Sequence, residues 1–198
     1  EVNTKLDKKF TDVFQNKYFQ SISNRENLSF ILAIAKHFKI KKNILINVIK
    51  NFKGLNYRQQ IIFSNKNISV INDSKSTSYS SSLEMLKSLK NIYWLLGGIP
   101  KKGDKFNLPK KYYKNIKCYI FGKNFKKFSK DLKDKINFKK FSNLKKALEA
   151  ILKEIDIDDG KKKTILFSPS AASFDTFKNF EYRGSYFNKL IKKYFNVK

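Results

Sequence analysis

Three loops in this 198-residue chain hold the residue types that chemistry needs. They are NDSKSTS at 72–78, GGIPKKGDKF at 97–106 and the opening of SPSAASFDTFKNFEYRG at 168–184. Between them they offer Ser74, Lys75, Ser76, Thr77, Lys101 and Ser173, beside glycines that let backbone amides approach a ligand closely. Ammonium groups, hydroxyls and backbone N–H groups are all donors, so the set suits a small anion with more than one oxygen. A hydrogen bond to a charged group contributes roughly 1.5–3 kcal/mol, and two carboxylates held this way imply millimolar to micromolar binding. The third loop is cleared of charge from Ser168 to Ser173 and is followed by Phe174, Phe177, Phe180, Tyr182 and Arg183. Small residues there leave the backbone and Ser173 open to close approach by a ligand. Phe177 is expected to pack into the core. Arg183 stands among very few arginines, which implies a forked hydrogen bond that lysine cannot make.

Other candidates are weaker. GGIPKKG has the spacing of a phosphate loop, but Asp104 stands where that motif requires lysine. His37 lies on a lysine-rich helix without a carboxylate or cysteine partner and reads as structural or surface. Asp158 and Asp159 fall in the turn IDIDDGKKK and read as a solvated loop. No spacing suits a metal, so no metal ligand is assigned. Cys118, the lone cysteine, sits in IKCYIF, a buried strand; it permits no internal disulfide and fits a reducing, cytoplasmic compartment.

The elements that must position these loops can be read from periodicity. NRENLSFILAIAKHF predicts a helix with Asn24 as N-cap and Leu28, Ile31, Leu32 and Ala35 on one face. KKNILINVIKNF predicts a second, with Ile44, Leu45, Val48 and Ile49 inward. From about residue 59 the period changes. QQIIF and ISVIN read as strands about the turn SNKN, IYWLL, IKCYIF, NFKKF (137–141) and KTILF as further strands. Helices fall between them at SSLEMLKSL, NFKKFSKDLKDK and SNLKKALEAILKEI, the last capped by Ser142, and NFEYRGSYFNKLIKKYF closes the chain. Strands alternating with helices predict an α/β fold, Rossmann-like, with a mostly parallel sheet flanked by helices. The boundary is expected in FKGLN, separating a helical segment, 1–55, from an α/β domain, 56–198. In such sheets ligands bind outside the carboxyl ends of strands, where the three loops fall.

The net charge of +27 and pI near 10 suggest nucleic acid or an anionic membrane. Only Arg25, Arg58 and Arg183 among the 43 basic residues are arginine, however, and Lys, Asn, Ile and Phe all have A/T-rich codons. The expectation is therefore no specific nucleic acid, with a basic α/β nucleic-acid-binding module kept as an alternative. FILAIA, the longest clean apolar run, is far short of a membrane span, and no signal peptide is visible.

The order NDSKSTS, LLGGIPKKGDKF, ILFSPSAASFDTFKNFEYRG resembles the C-terminal half of the Mur ligase family, and within it the D-glutamate-adding branch. FKGLNYR resembles the hinge into the C-terminal domain, and SNRENLSFILAIA the helix start that meets adenine. The likeness covers roughly residues 20–198. It implies an ATP-dependent carbon–nitrogen ligase of peptidoglycan precursor synthesis, adding D-glutamate to UDP-N-acetylmuramoyl-L-alanine through an acyl phosphate. By the same resemblance Thr77, Lys101 and Ser173 hold the D-glutamate carboxylates, and the Phe174 backbone and Phe180 ring wall the site. Lys75 lies on the phosphate side, Arg58 and Asp73 couple the domains and touch the nucleotide, and Asn24 and Asn27 approach adenine. Tyr57 and Ser23 stand where histidines are usual. The family's P-loop, Mg²⁺-binding acids and sugar-nucleotide domain are not visible. The chain, which begins with Glu, is thus expected to be a piece: a tail of the central ATP-binding domain plus the C-terminal domain. It would be inactive alone, would hold little of the ATP and Mg²⁺ sites, and would be monomeric. A non-catalytic ligase-like domain is the remaining alternative.

Overall fold

The computed structural model describes residues 16–20, 22–155 and 160–196. The chain divides into two compact units, one ending at Gly54 and one beginning at Leu55. In the first, α1 (Ile22–His37) and α2 (Lys42–Asn51) follow a short 3-10 turn at Lys17–Gln20. Its small core is Phe19, Leu28 and Ile49, with Leu32, Leu45, Ile46 and Phe52 packed against it. The side inward on α2 is therefore Leu45–Ile46–Ile49, and the expected Ile44 and Val48 are exposed, as is Ile31 on α1. Because α1 starts at Ile22, Asn24 is not its N-cap; it lies in the first turn, where Nδ2 donates to Tyr18 O at 2.8 Å.

The second unit is a six-stranded sheet. β1 (Gln60–Ser64) pairs antiparallel with β2 (Ile68–Asn72), and the other pairings are parallel, in the order β1-β2-β6-β3-β4-β5. β3 is Ile92–Gly97, β4 Ile116–Phe121, β5 Asn137–Phe141 and β6 Lys163–Phe167. Side chains alternate across the sheet and build two cores. One face carries Trp94, Leu96, Cys118, Ile120 and Leu166 under α3 (Tyr79–Ser88) and α4 (Phe125–Leu132). The other carries Tyr93, Leu95, Tyr119, Phe121, Ile165 and Phe167 under α5 (Leu144–Glu154) and α6 (Phe180–Phe195). Both β3 and β6 are buried along their whole length, which is why they read as unbroken apolar runs. The edge strand β5 shows lysines outward. Cys118 is buried, and burial pushes its thiol well up, so it is an inert core residue.

α5 is capped by Asn143, whose side chain accepts from Lys146 N, rather than by the expected Ser142. Phe177 does not enter either core; its ring packs against Tyr186 of α6 at 5.5 Å. His37 is exposed on α1, edge-on to Phe38. Asp158 and Asp159 lie outside the described residues.

Candidate functional site

β2 leads into α3 on one face of the sheet, while its neighbour β6 leads into α6 on the other. Their loops therefore part at the carboxyl edge and leave a crevice, the switch point where open α/β sheets take ligands. β3 flanks β6 on the far side, so the loops after β2, β6 and β3 are neighbours. The three stretches singled out by residue type are brought to one place.

Two of these loops are joined directly: Ile99 N donates to Ala172 O at 2.8 Å, and Ala172 N returns a bond to Ile99 O at 2.9 Å. The approach needs Gly98, at φ +127°, because a Cβ there would stand 2.3 Å from Ala172 O. Beneath the junction lies Arg183 of α6, 1% exposed. Its Nε donates to Ser74 Oγ (3.1 Å), Nη2 to Ser74 O (2.8 Å), and Nη1 to Ala171 O (2.9 Å) and Gly97 O (3.5 Å). Each of the three loops thus gives this guanidinium an acceptor. Burial pulls it down to about 10, against the charges of Asp175 and Asp73, which leaves it a cation at neutral pH. Beside it on α6, Asn72 Nδ2 donates to Gly184 O (2.9 Å) and, just over a turn further along, to Asn188 Oδ1 (2.7 Å), pinning the end of β2. Tyr57 accounts for the glycine at 184, since a Cβ there would meet its ring at 2.3 Å.

Several polar groups of the loops turn inward rather than toward the crevice. Ser74 is fully buried and donates from Oγ to Phe180 O at 2.8 Å. Asp73, 6% exposed, accepts from Ser168 Oγ at 2.8 Å and from Gln59 N at 3.1 Å. Behind it runs a buried chain of hydroxyls: Ser168 to Ser82 at 2.7 Å, then Ser82 to Ser76 at 2.6 Å and to Ser170. Burial pushes the Asp73 carboxyl up to about 7, opposed by the Ser168 and Gln59 hydrogen bonds and the charge of Arg58. Ser74 and Ser76 are therefore structural and not ligands, contrary to the expectation from residue type. Asp104, rejected above as a phosphate-loop position, accepts from Tyr79 N at 2.6 Å and docks its loop on the start of α3.

Toward solvent remain Thr77 and Lys101, both exposed, and Phe174, at 71%. No carboxylate among the described residues forms an ion pair with Lys101. Ser173 is 3% exposed, its carbonyl accepting from Phe177 N at 2.9 Å in the turn before α6. Lys75 Nζ lies 4.0 Å from the centre of the Phe180 ring, half-buried at the first position of α6. Arg58 is exposed. Asn24 and Asn27 belong to the first unit, Asn24 buried and Asn27 exposed on α1. Among the described residues no three His, Cys, Asp or Glu side chains come together to hold a metal, and no helix is long and apolar enough to cross a membrane.

No family model matches the chain. It is 39% identical over 179 residues to the UDP-N-acetylmuramoylalanine–D-glutamate ligase of Rickettsia prowazekii, covering 90% of this chain and 40% of that protein. To the ligase of the same name from Buchnera aphidicola of Schizaphis graminum it is 43% identical over 174 residues, covering 86% and 38%. The chain thus spans about two-fifths of the length of the curated relatives it matches. In fold it is similar to UDP-N-acetylmuramate–alanine ligase of Thermotoga maritima, with a TM-score of 0.57 at 17% identity, covering 90% of this chain and 39% of that one. A folylpolyglutamate synthase/dihydrofolate synthase from Yersinia pestis gives 0.56 at 11% identity, covering 89% and 39%.

Proposed function

We propose, from a chain homologous to UDP-N-acetylmuramoylalanine–D-glutamate ligases along nine-tenths of its length, that it is the C-terminal part of such a ligase. The whole protein joins D-glutamate to UDP-N-acetylmuramoyl-L-alanine with ATP as co-substrate. On this reading residues from 56 onward form the amino-acid-binding domain, and the helical pair before them is the tail of the ATP-binding domain. The observation that carries the proposal is the convergence of the loops after β2, β3 and β6 at one crevice. Those loops are the stretches that match the D-glutamate-adding branch.

In this reading Lys101 supplies the charge for one D-glutamate carboxylate, and Thr77, Ser173 and the Phe174 backbone supply donors to the other. Phe180, held by Lys75, forms an apolar wall that excludes water and strengthens those bonds. The γ-phosphoryl group of ATP passes to the carboxylate of the acceptor. The unprotonated amine of D-glutamate then attacks that carbonyl carbon, the tetrahedral intermediate expels phosphate with the bonding electron pair, and the nitrogen gives up one proton to solvent, leaving the amide. The site residues bind and orient the amine for the attack, which is where most of their rate effect lies. In the α/β unit, exposed Arg58 is available to nucleotide, while Asp73 is buried and fixes the backbone beside it. The described residues do not bring together the acids that a Mg²⁺ ion needs.

The test uses the intact protein with ATP and acceptor, measuring ADP release with D-glutamate, L-glutamate and L-lysine. D-glutamate should support turnover at least tenfold better than either. Preference for L-lysine would overturn the branch assignment, and turnover with none of the three would leave a non-catalytic ligase-like domain.

A further inference from the structure

We propose that Arg183 is a positioning residue of the amino-acid site, its guanidinium setting the spacing of the three loops that carry the substrate-binding groups. The inference rests on the ligase reading for the identity of the substrate. Its geometric basis stands independently. The planar fork spends Nε and Nη2 on Ser74, and Nη1 on Ala171 and Gly97. These anchors lie three residues before Thr77, two before Ser173 and four before Lys101. A shift at any anchor is carried along a short stretch of backbone to a group that touches substrate. The loops come from strands that share no covalent turn; the Ile99–Ala172 bridge ties two of them and the Ser168–Asp73 bond another two, while this one side chain bonds to all three.

Lysine cannot do this, because its donors radiate from one point and cannot satisfy acceptors on opposite edges of a planar group. That accounts for an arginine retained here in a chain whose basic residues are otherwise almost all lysine. The cation is buried without an ion pair among the described residues, and its charge is met by carbonyl and hydroxyl oxygens, an arrangement costly to keep for stability alone. Small displacements of reacting groups have large effects on rate, so the loop spacing is where that cost is offset.

Arg183→Lys and Ser74→Ala in the intact protein test the proposal, with the KM for D-glutamate, ATP and acceptor measured beside the melting temperature and amide hydrogen exchange. Arg183→Lys should raise the KM for D-glutamate at least tenfold and leave the other two within twofold. Amides of 73–78, 98–103 and 168–174 should lose protection together while β4 and β5 keep theirs. A D-glutamate KM equal to wild type, or three KM values rising by one common factor, would overturn it. If Arg183→Lys does not fold, Ser74→Ala decides: a threefold rise for D-glutamate alone supports the role, and no change refutes it. Should the wild-type protein show no D-glutamate-dependent turnover, the ligase reading fails. Hydrogen exchange still decides the positioning role, since loss of protection confined to one loop would refute it.

Discussion

Replacing Asp73 by asparagine should change how stability depends on pH, in a direction the buried carboxyl dictates. The group lies under the β2 loop with Ser168 and the Gln59 backbone as donors, and burial raises it from 3.8 to about 7. Below pH 3.8 both folded and unfolded chains carry the proton, and the stabilisation is fully present. Between 3.8 and about 7 only the folded chain keeps it, so each rise in pH favours unfolding. Above that both are ionised and the stabilisation is lost. The rise from 3.8 to about 7 corresponds to about 4 kcal/mol over the window, taking about 1.4 kcal/mol per tenfold in proton affinity. The amide cannot titrate, and whatever it loses in hydrogen bonding is the same at every pH. Urea denaturation of wild type and Asp73→Asn between about pH 4 and 8 isolates the effect, because all other groups cancel in the difference. The variant should gain on wild type by about 4 kcal/mol across the window. A difference that stays flat, or that moves in favour of wild type as pH rises, would refute the reasoning.

Lys101→Ala should raise the KM for D-glutamate, or lower kcat, at least tenfold in the intact protein, with the KM for ATP unchanged; steady-state kinetics read this directly. Gly184→Ala should destabilise by about 1–3 kcal/mol in urea, since the new methyl overlaps the Tyr57 ring. Most of that loss should vanish when Tyr57→Ala is added, as a double-mutant cycle would register. Asp104→Ala removes the acceptor for Tyr79 N and should cost about 0.5–2 kcal/mol by the same assay, while Asp104→Asn retains most of it.

The order and type of the elements were legible because apolar runs of strand length alternate with amphipathic helices, and β3 and β6 are apolar enough to announce burial on both faces. Helix starts were less so. Ser142 and Asn143 are both good caps, and only the backbone geometry, with Asn143 accepting from Lys146 N, chooses between them. The loops that form the crevice were legible by residue type, but the direction of each side chain was not. Ser74 reads as a ligand until Arg183, 109 residues further on, arrives beneath it. Ser82 and Ser170, which extend the hydroxyl chain to Asp73, carried no local signal, because Ser82 meets Ser168 and Ser170 across 86 and 88 residues of chain. For Arg183 itself the signal was present, in the rarity of arginine, while its partners required the fold.

The central claim is that the crevice formed by the loops after β2, β3 and β6 holds the amino-acid substrate. A crystal structure of the intact protein with D-glutamate tests it most directly. The account predicts ligand density between Thr77, Lys101 and Ser173, with one carboxylate within hydrogen-bond reach of the Lys101 ammonium and the Phe180 ring alongside. D-glutamate bound elsewhere, in a protein that turns it over, would contradict the account.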